Sequence, residues 1–437
     1  HFGKRVCILE RHALPGGLNA YYRRRGHLID VGLHALTNLS SPDAKRAPLN
    51  RLLRQLRLKR EDFDLCPQTH SDITTKAGCL TFTNDPGSLE HAVASRFPDQ
   101  IDGFRRLVTE VLTRDTLSLT ASRRSALSAL PAFISDPELV DMLLVPLMYY
   151  GNAEERDMDF NQFCIMFQSV LLEGLCRPRA GMRHVIDTLV ARYRESGGEI
   201  RFRQGVQALS HEGGAVIEAL LDDGQVVHAR AFLSCAGLLE TLRLCRPILP
   251  ELSHVADGQL SFVETILFLD RPPAALGLNS CISFYNDADT FHYECPDDPV
   301  DLRSGVICVP GNYQGCGDGY VSTQVRMTNL ANHRTWLNLA PEAYAAAKAK
   351  ALEQQLDTLE QRHPGLRAAV TDSDMFTPRT VLRYTGHANG CVYGTPDKRR
   401  DGTTALRNLF ICGTDQGFLG IVGSLLSGVS IANAHLL

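Results

Sequence analysis

The chain has 437 residues and a formal net charge of −4, with 44% hydrophobic and 22% charged residues. This length exceeds one ordinary hydrophobic core, so two or three domains are expected; the small charge gives no support for a nucleic-acid partner, and no run reaches the ~18 apolar residues of a membrane-spanning helix. The 13 cysteines are scattered without a CxxC pair, which favours reduced thiols in a cytoplasmic protein over a disulfide framework or a metal site.

The first predicted element is a strand. Residues 5–9 form a short apolar run that ends at Glu10 and is followed by Pro15-Gly16-Gly17. Such a run predicts a parallel strand buried on both faces. In dinucleotide-binding folds, an acidic residue at the carboxyl end of such a strand accepts hydrogen bonds from a ribose. The run alone is equally compatible with a Glu10 that ends a strand at the solvent.

The same fold predicts what precedes this strand. Residues 1–4 resemble the end of a helix with its glycine stop. From the spacing of the dinucleotide fold we expect about 20 to 30 residues upstream of His1, encoding a first strand, a GxGxxG turn and the front of a helix.

The middle of the chain alternates between helical and extended patterns. Apolar residues recur at helical spacing in residues 105–112, 137–147, 181–190 and 341–361. Extended patterns occupy residues 199–235 and 259–325. Several strands and helices therefore separate the first strand from the end of the chain.

The C-terminal stretch combines a strand, glycines and a carboxylate. An apolar strand at residues 408–412 leads into Gly413 and Asp415, and Gly420 and Gly423 then open a helix. The free N–H groups and positive dipole end of a helix N-terminus suit a flat or phosphorylated ligand, and Asp415 is placed to hold a polyol hydroxyl. Alternatively, the glycines only let the helix pack tightly on the sheet.

These motifs, taken in order, resemble one family. ILERHALPGG (8–17) followed by GHLIDVGLHAL (26–36) resembles the FAD-dependent phytoene desaturase, carotenoid isomerase and retinol saturase family of the amine-oxidase-like flavoproteins. The further matching stretches are RAGMRHVIDTL, GGEIRFRQGVQAL, ARAFLSCAG, TPRTVLRYTGHANGCVYG and the C-terminal glycine motif. Three features depart from the family pattern: the N-terminal GxGxxG is not in the sequence, Leu18 follows Gly-Gly where many relatives have Arg, and Ala180 replaces the first glycine of the Gly-Gly-Met helix.

The resemblance implies an α/β fold, in which a discontinuous Rossmann-like FAD-binding domain carries an inserted α+β substrate domain. The FAD-binding domain is expected in residues 1–75, 176–248 and 372–437, and the substrate domain in residues 76–175 and 249–371. FAD is the implied cofactor, and no metal is expected. The residues implied to hold FAD are Glu10, Arg11, Gly16, Gly17, Asp30, Gly32, Val206, Ala236, Gly237, Gly413, Asp415, Gly420, Val422 and Gly423.

Two residues are candidates for the substrate side of the site. His34 follows the Asp-x-Gly hairpin and is placed to approach the flavin ring, and Tyr384 is placed to line an apolar tunnel. In both cases a structural role is the competing interpretation, because a lone histidine in a turn and an aromatic residue near strands commonly belong to the core.

The resemblance implies FAD-dependent oxidation, reduction or isomerisation of carbon–carbon double bonds in an apolar isoprenoid or polyene. The alternatives are an amine oxidase on the same fold and a non-catalytic flavin-binding carrier protein. An apolar small molecule is the expected partner, and peripheral contact with a membrane is a further hypothesis. Residues 136–151 are a candidate wall or mouth of the substrate cleft, or else a core helix, and Arg23-Arg24-Arg25 is a candidate contact for anionic lipid or else a solvated hairpin.

Overall fold

The computed structural model describes residues 3–32, 34–116 and 122–437. Its strands are β1 (Cys7–Glu10), β2 (Tyr21–Arg24), β3 (His27–Asp30), β4 (Leu65–Pro67), β5 (Ser71–Thr75), β6 (Gly78–Phe82), β7 (Cys176–Pro178), β8 (Glu199–Phe202), β9 (Val206–Glu212), β10 (Ala215–Leu221), β11 (Val226–Val227), β12 (Phe232–Ser234), β13 (Cys245–Arg246), β14 (Ser261–Leu269), β15 (Ile282–Asn286), β16 (Ser304–Cys308), β17 (Gln324–Ala331), β18 (Val370–Phe376) and β19 (Leu409–Ile411).

The helices are α1 (Pro48–Leu56), α2 (Pro86–Arg96), α3 (Ile101–Thr113), α4 (Ala126–Ala129), α5 (Pro137–Gly151), α6 (Phe160–Phe167), α7 (Met182–Glu195), α8 (Leu238–Leu244), α9 (His333–Asn338), α10 (Pro341–Arg362), α11 (Leu366–Ala369), α12 (Pro378–Thr385) and α13 (Gly420–His435). A π-helical turn at Gln168–Leu172 follows α6.

Parallel strand pairs carry the two ends of the predicted cofactor domain. β1 pairs in parallel with β8, so that Glu10 lies opposite Phe202. The C-terminal strand β19 pairs in parallel with β12, so that Ile411 lies opposite Ser234. Parallel strands joined through helices are the arrangement of a Rossmann-like α/β domain, so the predicted fold class is confirmed.

The prediction that the first strand is buried on both faces is wrong for this structure. Val6 and Ile8 are 50% and 41% exposed, and Leu233 on β12 is 39% exposed. The reason lies in the pairing: across the described ranges, the β1–β8 pair and the β12–β19 pair form two separate two-stranded sheets. Apolar side chains on the two pairs therefore lack the cover that a continuous sheet provides.

A seven-stranded sheet forms the other half of the molecule, in the order β18-β14-β17-β16-β15-β5-β6. Its pairs are antiparallel except for β15 with β5. On the outer face, Ile307 and Met327 pack against Leu356 and Leu359 of α10. The inner face faces the helical layer, where Phe284 and Val306 join the largest apolar cluster with residues of α5 and α6.

Helix α5 lies in the core of the helical layer. Asp136 caps it by accepting hydrogen bonds from the N–H groups of Glu138 and Leu139, and Pro137 occupies its first position. Apolar residues surround most of its circumference, and each of the following is at most 2% exposed: Leu143, Leu144, Val145, Leu147 and Met148. A helix that is hydrophobic on all sides belongs inside a protein.

Candidate functional site

Glu10 lies at the carboxyl end of β1, as the sequence predicts. Its Oε1 accepts a hydrogen bond of 2.8 Å from the backbone N–H of His12. Arg11 Nη2 donates 2.6 Å to the carbonyl oxygen of Arg383, and His12 Nε2 lies 2.9 Å from the carbonyl oxygen of Tyr384. The turn after β1 is therefore attached to the C-terminal end of α12.

This attachment determines where Tyr384 lies. Its ring is tilted against the His12 ring at a centroid distance of 5.4 Å. Tyr384 thus borders the Glu10 turn, whereas His34, the other predicted substrate residue, lies on the seven-stranded sheet. The contacts of these two residues do not bring them together.

The start of β9 and the end of β12 lie close to the same turn. A side chain at Gly205, next to Val206, would place its Cβ 3.2 Å from Cβ of Arg11. The pKa of Cys235, which precedes Ala236, is raised by desolvation of its thiol and, to a smaller extent, by the charge of Glu10. Val206 and Ala236 therefore lie around the turn that carries Glu10 and Arg11.

Asp415 joins three segments at the end of β19. It is completely buried. Its Oδ2 accepts a hydrogen bond of 2.7 Å from the N–H of Leu238 at the start of α8. Its Oδ1 accepts two hydrogen bonds of 3.1 Å, one from the N–H of Thr395 and one from Lys398 Nζ. Gly237 packs here with φ 103°, and a Cβ on it would lie 3.3 Å from Asp415 Oδ2. A polyol hydroxyl at this carboxylate would have to share it with these three donors.

The N-terminus of α13 leaves room for a ligand at one glycine. Gly420 has φ 75° and no atom within 4 Å of a Cβ placed on it, and no side chain caps the helix. In contrast, a Cβ on Gly423 would lie 3.0 Å from the backbone of Phe418, and Val422 is wholly buried. The N–H of Gly413 donates 2.7 Å to Ser427 Oγ, which holds the strand end to the helix.

Asp30 forms a buried link in the structure. It is 2% exposed and forms an ion pair with Arg177. Asp30 also accepts a hydrogen bond of 2.6 Å from the Tyr320 hydroxyl and one of 3.2 Å from the N–H of Met182 at the start of α7. Sequence reasoning missed Arg177 and Tyr320, because both are far from Asp30 in the sequence and neither belongs to a motif that predicts contact with it.

The glycines around Asp30 have different environments. A Cβ on Gly16 would lie 2.5 Å from Ile186 Cδ1, and one on Gly32 would lie 2.7 Å from the carbonyl oxygen of Leu18. These two glycines allow close packing. Gly17, with φ 54°, has open space at that position, so it shares with Gly420 the property of leaving its backbone accessible.

His34 belongs to a charged cluster on the inner face of the seven-stranded sheet. Its Nε2 lies 3.1 Å from Thr328 Oγ1 and 3.4 Å from Glu264 Oε2. Arg326 Nε donates 2.5 Å to Glu264 Oε1. The Arg326 side chain is 0% exposed and that of Glu264 is 11% exposed, so the ion pair is enclosed. We call His34, Glu264, Arg326 and Thr328 the His34 cluster.

The ionisation of Glu264 follows from its neighbours. Burial alone would raise its pKa, but Arg326 and then His34 reverse this effect and hold the pKa of Glu264 below its ordinary value. Sequence reasoning missed Glu264, Arg326 and Thr328. They come together through strand register, in which Glu264 lies opposite Thr328 and Ile266 opposite Arg326.

Aromatic and apolar side chains surround this cluster. The ring of Tyr150 lies 6.3 Å from that of His34 and stands edge-on to Phe284 at 5.3 Å. Phe262 makes a similar edge contact with Tyr393 at 6.2 Å. Among the described residues, the inner face of the sheet therefore places the His34 cluster next to aromatic and apolar side chains.

Two surface hypotheses are corrected by the structure. Residues 136–151 are not an exposed mouth of the cleft, because α5 is buried in the core; the wall stays a prediction, with Tyr150 of α5 lying beside His34. Two of the three hairpin arginines are already paired, Arg24 with Asp374 and Arg25 with Asp372 at 2.6 Å, so the hairpin does not offer three free positive charges. Among the described residues, no helix combines the length and the apolar character needed to cross a membrane.

The fold and the site define a class of protein: an α/β flavoprotein with a second, sheet-based domain. Residues 1–434 match the model of the family described as flavin containing amine oxidoreductase, and the chain belongs to this family. It is therefore an FAD-dependent oxidoreductase, and the predicted cofactor and enzyme class are confirmed.

The relatives and solved structures lie at low identity. The chain is 22% identical over 476 residues to a chloroplastic prolycopene isomerase of Arabidopsis thaliana, covering 98% of this chain and 78% of the isomerase. It is 22% identical over 482 residues to a lycopene-forming phytoene desaturase of Pantoea ananas, covering 96% of this chain and 92% of the desaturase. A solved oxidoreductase from Methanosarcina mazei has a TM-score of 0.67 at 16% identity, covering 99% and 94%, and supports the fold alone.

Proposed function

We propose that this enzyme uses FAD to oxidise, reduce or isomerise carbon–carbon double bonds of an apolar isoprenoid or polyene. The observation that carries the proposal is the inner face of the seven-stranded sheet, where the His34 cluster lies among aromatic and apolar side chains. A long hydrocarbon binds through buried apolar area, at roughly 25 cal/mol per Å². The names of the isomerase and desaturase relatives point to the same substrate class.

The proposed cofactor site joins the strand ends around Glu10 and Asp415. Glu10 and Arg11, with the backbone near Val206 and Ala236, would hold the adenosine end, and Gly17 and Gly420 leave the open backbone that a flat or anionic group requires. Gly16, Gly32, Gly237, Gly423 and Val422 would support this site by packing, and Asp30 and Asp415 by holding its walls together.

When bound, FAD supplies a hydride acceptor or donor. The protein's own part in the proposed reaction is positioning. Glu264 and Thr328 hold the His34 imidazole through its Nε2 atom, and Arg326 holds the carbonyl oxygen of Val31 at 2.5 Å, which attaches the segment before His34 to the sheet. The surrounding aromatic residues would exclude water from the substrate.

The domain division is part of the same proposal. The FAD-binding domain would consist of three segments of the chain, with the substrate domain inserted between them. Because the seven-stranded sheet includes β5 and β18, we place the domain boundaries just before β5 and just after β18. These positions lie within a few residues of the boundaries expected from the sequence.

An amine oxidase on this fold is the alternative substrate class. A cleft of about 310 Å³ lined by Glu154, Glu155, Asp257 and Asp397 would suit a cation if its carboxylates were free. Each one already has a protein partner: Arg123, the N–H of Cys295, Arg243 and the N–H of Ala256, respectively. Among these partners only the two arginines carry a charge, so Glu155 and Asp397 keep the cleft acidic, and an amine remains the alternative that the experiment has to decide.

The experiment compares substrates on the FAD-loaded, full-length protein without oxygen. Carotenoid precursors in liposomes and a panel of primary amines are added separately, while flavin absorbance and polyene isomers are followed. Flavin bleaching by a polyene, reoxidation of reduced flavin by a polyene, or polyene isomerisation would each support the proposal. Bleaching by amines alone would overturn the substrate class, and no reaction with either class would favour the flavin-binding carrier.

A further inference from the structure

Two buried phenol hydroxyls beside the apolar surround of the His34 cluster have no hydrogen-bond partner in the described part of the chain. They belong to Tyr150 and Tyr313. Tyr313 is 1% exposed, and the hydroxyl oxygen of Tyr150 is also closed off from solvent. Buried polar groups in native proteins are nearly always hydrogen-bonded, because desolvation without a partner costs free energy. Each hydroxyl therefore indicates a partner from outside the chain.

The neighbouring tyrosines make these two distinctive. Tyr149 donates 3.0 Å to the carbonyl oxygen of Ser304, Tyr293 donates 3.3 Å to that of Asn152, and Tyr393 donates to that of Tyr149. These buried rings all belong to the same apolar cluster or pack against it. Three other tyrosine hydroxyls of this core therefore have a hydrogen-bond partner within the chain.

Tyr150 and Tyr313 share one environment. Tyr150 stands against Phe284 and lies 6.3 Å from the His34 ring, and Tyr313 belongs to the cluster that contains Phe284 and Cys308. Burial raises the pKa of Tyr313, and Cys308, Cys281 and Tyr150 add to this effect. Burial also raises the pKa of Tyr150, with Cys308 next in importance. The rings of Tyr150 and Tyr313 thus both belong to the apolar cluster on the inner face of the sheet or pack against it.

A hydrocarbon cannot form a hydrogen bond with these hydroxyls, because it has neither a donor nor an acceptor. A carbonyl oxygen has two lone pairs and accepts from both phenols, and an alcohol oxygen accepts from one and donates to the other. We propose that Tyr150 and Tyr313 bind an oxygen atom at one end of the substrate, so that the preferred substrate is a polyene alcohol, aldehyde or ketone. This inference rests on the proposed polyene function and narrows it.

The test measures binding to the FAD-loaded, full-length protein with two probes of equal chain length: a polyene hydrocarbon and its terminal alcohol. The shift of polyene absorption on binding gives Kd for each probe without turnover. Two neutral hydrogen bonds predict that the alcohol binds about tenfold more tightly. In the double variant Tyr150→Phe, Tyr313→Phe the ratio of the two Kd values should fall to about one, whereas Tyr293→Phe should retain the wild-type ratio.

The outcomes separate this inference from the proposed function. Equal affinity of the wild-type protein for both probes would overturn the oxygen site and leave the polyene function in place, as expected if only water satisfies the hydroxyls. A preference that survives in the double variant would also overturn it. Binding of neither probe would overturn both. If the double variant does not fold, the wild-type comparison and the single variant Tyr150→Phe decide the question.

Discussion

Glu264 and Arg326 form an ion pair on the inner face of the seven-stranded sheet, with the Arg326 side chain 0% and the Glu264 side chain 11% exposed. His34 lies 3.4 Å from the other carboxylate oxygen. The pair holds the His34 cluster in place among aromatic and apolar side chains, because Glu264 and Arg326 lie on two adjacent, hydrogen-bonded strands.

Glu264→Gln should strongly destabilise the protein. The substitution leaves the buried Arg326 guanidinium without its carboxylate, and breaking one side of a buried ion pair typically costs about 3–5 kcal/mol. Urea unfolding of the cofactor-free protein measures the change. Glu353→Gln is the matched control, because Glu353 pairs with Arg367 at the surface, and we expect no resolvable change there. A Glu264→Gln loss as small as that of the control would contradict this account.

The same carboxylate predicts how stability depends on pH. The pKa of Glu264 is lowered in the folded protein, so near its ordinary pKa the unfolded chain binds more protons than the folded one. Its contribution is complete above the unfolded pKa, near 4.5, and is lost as the pH falls below that value. Unfolding curves from pH 7 to pH 3 should show a steeper decline for the wild type than for Glu264→Gln. Parallel declines would contradict the prediction.

Asp30→Asn should destabilise the protein even without FAD. The carboxylate pairs with buried Arg177 and accepts from Tyr320 and Met182, so its removal should cost about 3–5 kcal/mol. Denaturant unfolding of the apoprotein tests this, with the exposed Asp102→Asn as control. If Asp30→Asn leaves the stability of the apoprotein unchanged but weakens FAD binding, Asp30 contacts the cofactor directly and this prediction is wrong.

Glu10→Ala and Asp415→Asn should have different effects. Glu10 makes one local hydrogen bond, to His12, so its loss should weaken FAD binding by about 1–3 kcal/mol with little change in apoprotein stability. Asp415 is buried and accepts hydrogen bonds from three donors, so Asp415→Asn should lower both the affinity for FAD and the stability of the apoprotein. FAD titration into apoprotein and unfolding of the apoprotein measure the two effects. Unchanged FAD affinity in Glu10→Ala would show that Glu10 only ends its strand.

Tyr150→Phe should leave the stability of the ligand-free protein unchanged or raise it. Its hydroxyl is buried without a partner among the described residues, so its removal relieves a desolvation cost. Tyr293→Phe should lower stability by about 0.5–1.5 kcal/mol, because that hydroxyl donates to Asn152. Thermal or urea unfolding compares the two variants. A larger loss for Tyr150→Phe would mean that its hydroxyl has a structural partner.

The local patterns of the sequence predicted much of this protein. The run before Glu10 predicted a strand that the structure places at Cys7–Glu10, and the stretch before Gly413 predicted the strand Leu409–Ile411. The motif order predicted an FAD-dependent enzyme, which the family match confirms. These features are readable because strand periodicity, glycine turns and terminal carboxylates are properties of neighbouring residues.

Only the tertiary structure decided which side chains meet. His34 meets Glu264 and Thr328, far along the chain, and Asp30 meets Arg177. Such pairs depend on strand register and on the packing of one domain segment against another, and no local pattern encodes either. The same holds for α5: an apolar helix has the same sequence at a membrane mouth as in a core, and its surroundings alone place it in the core.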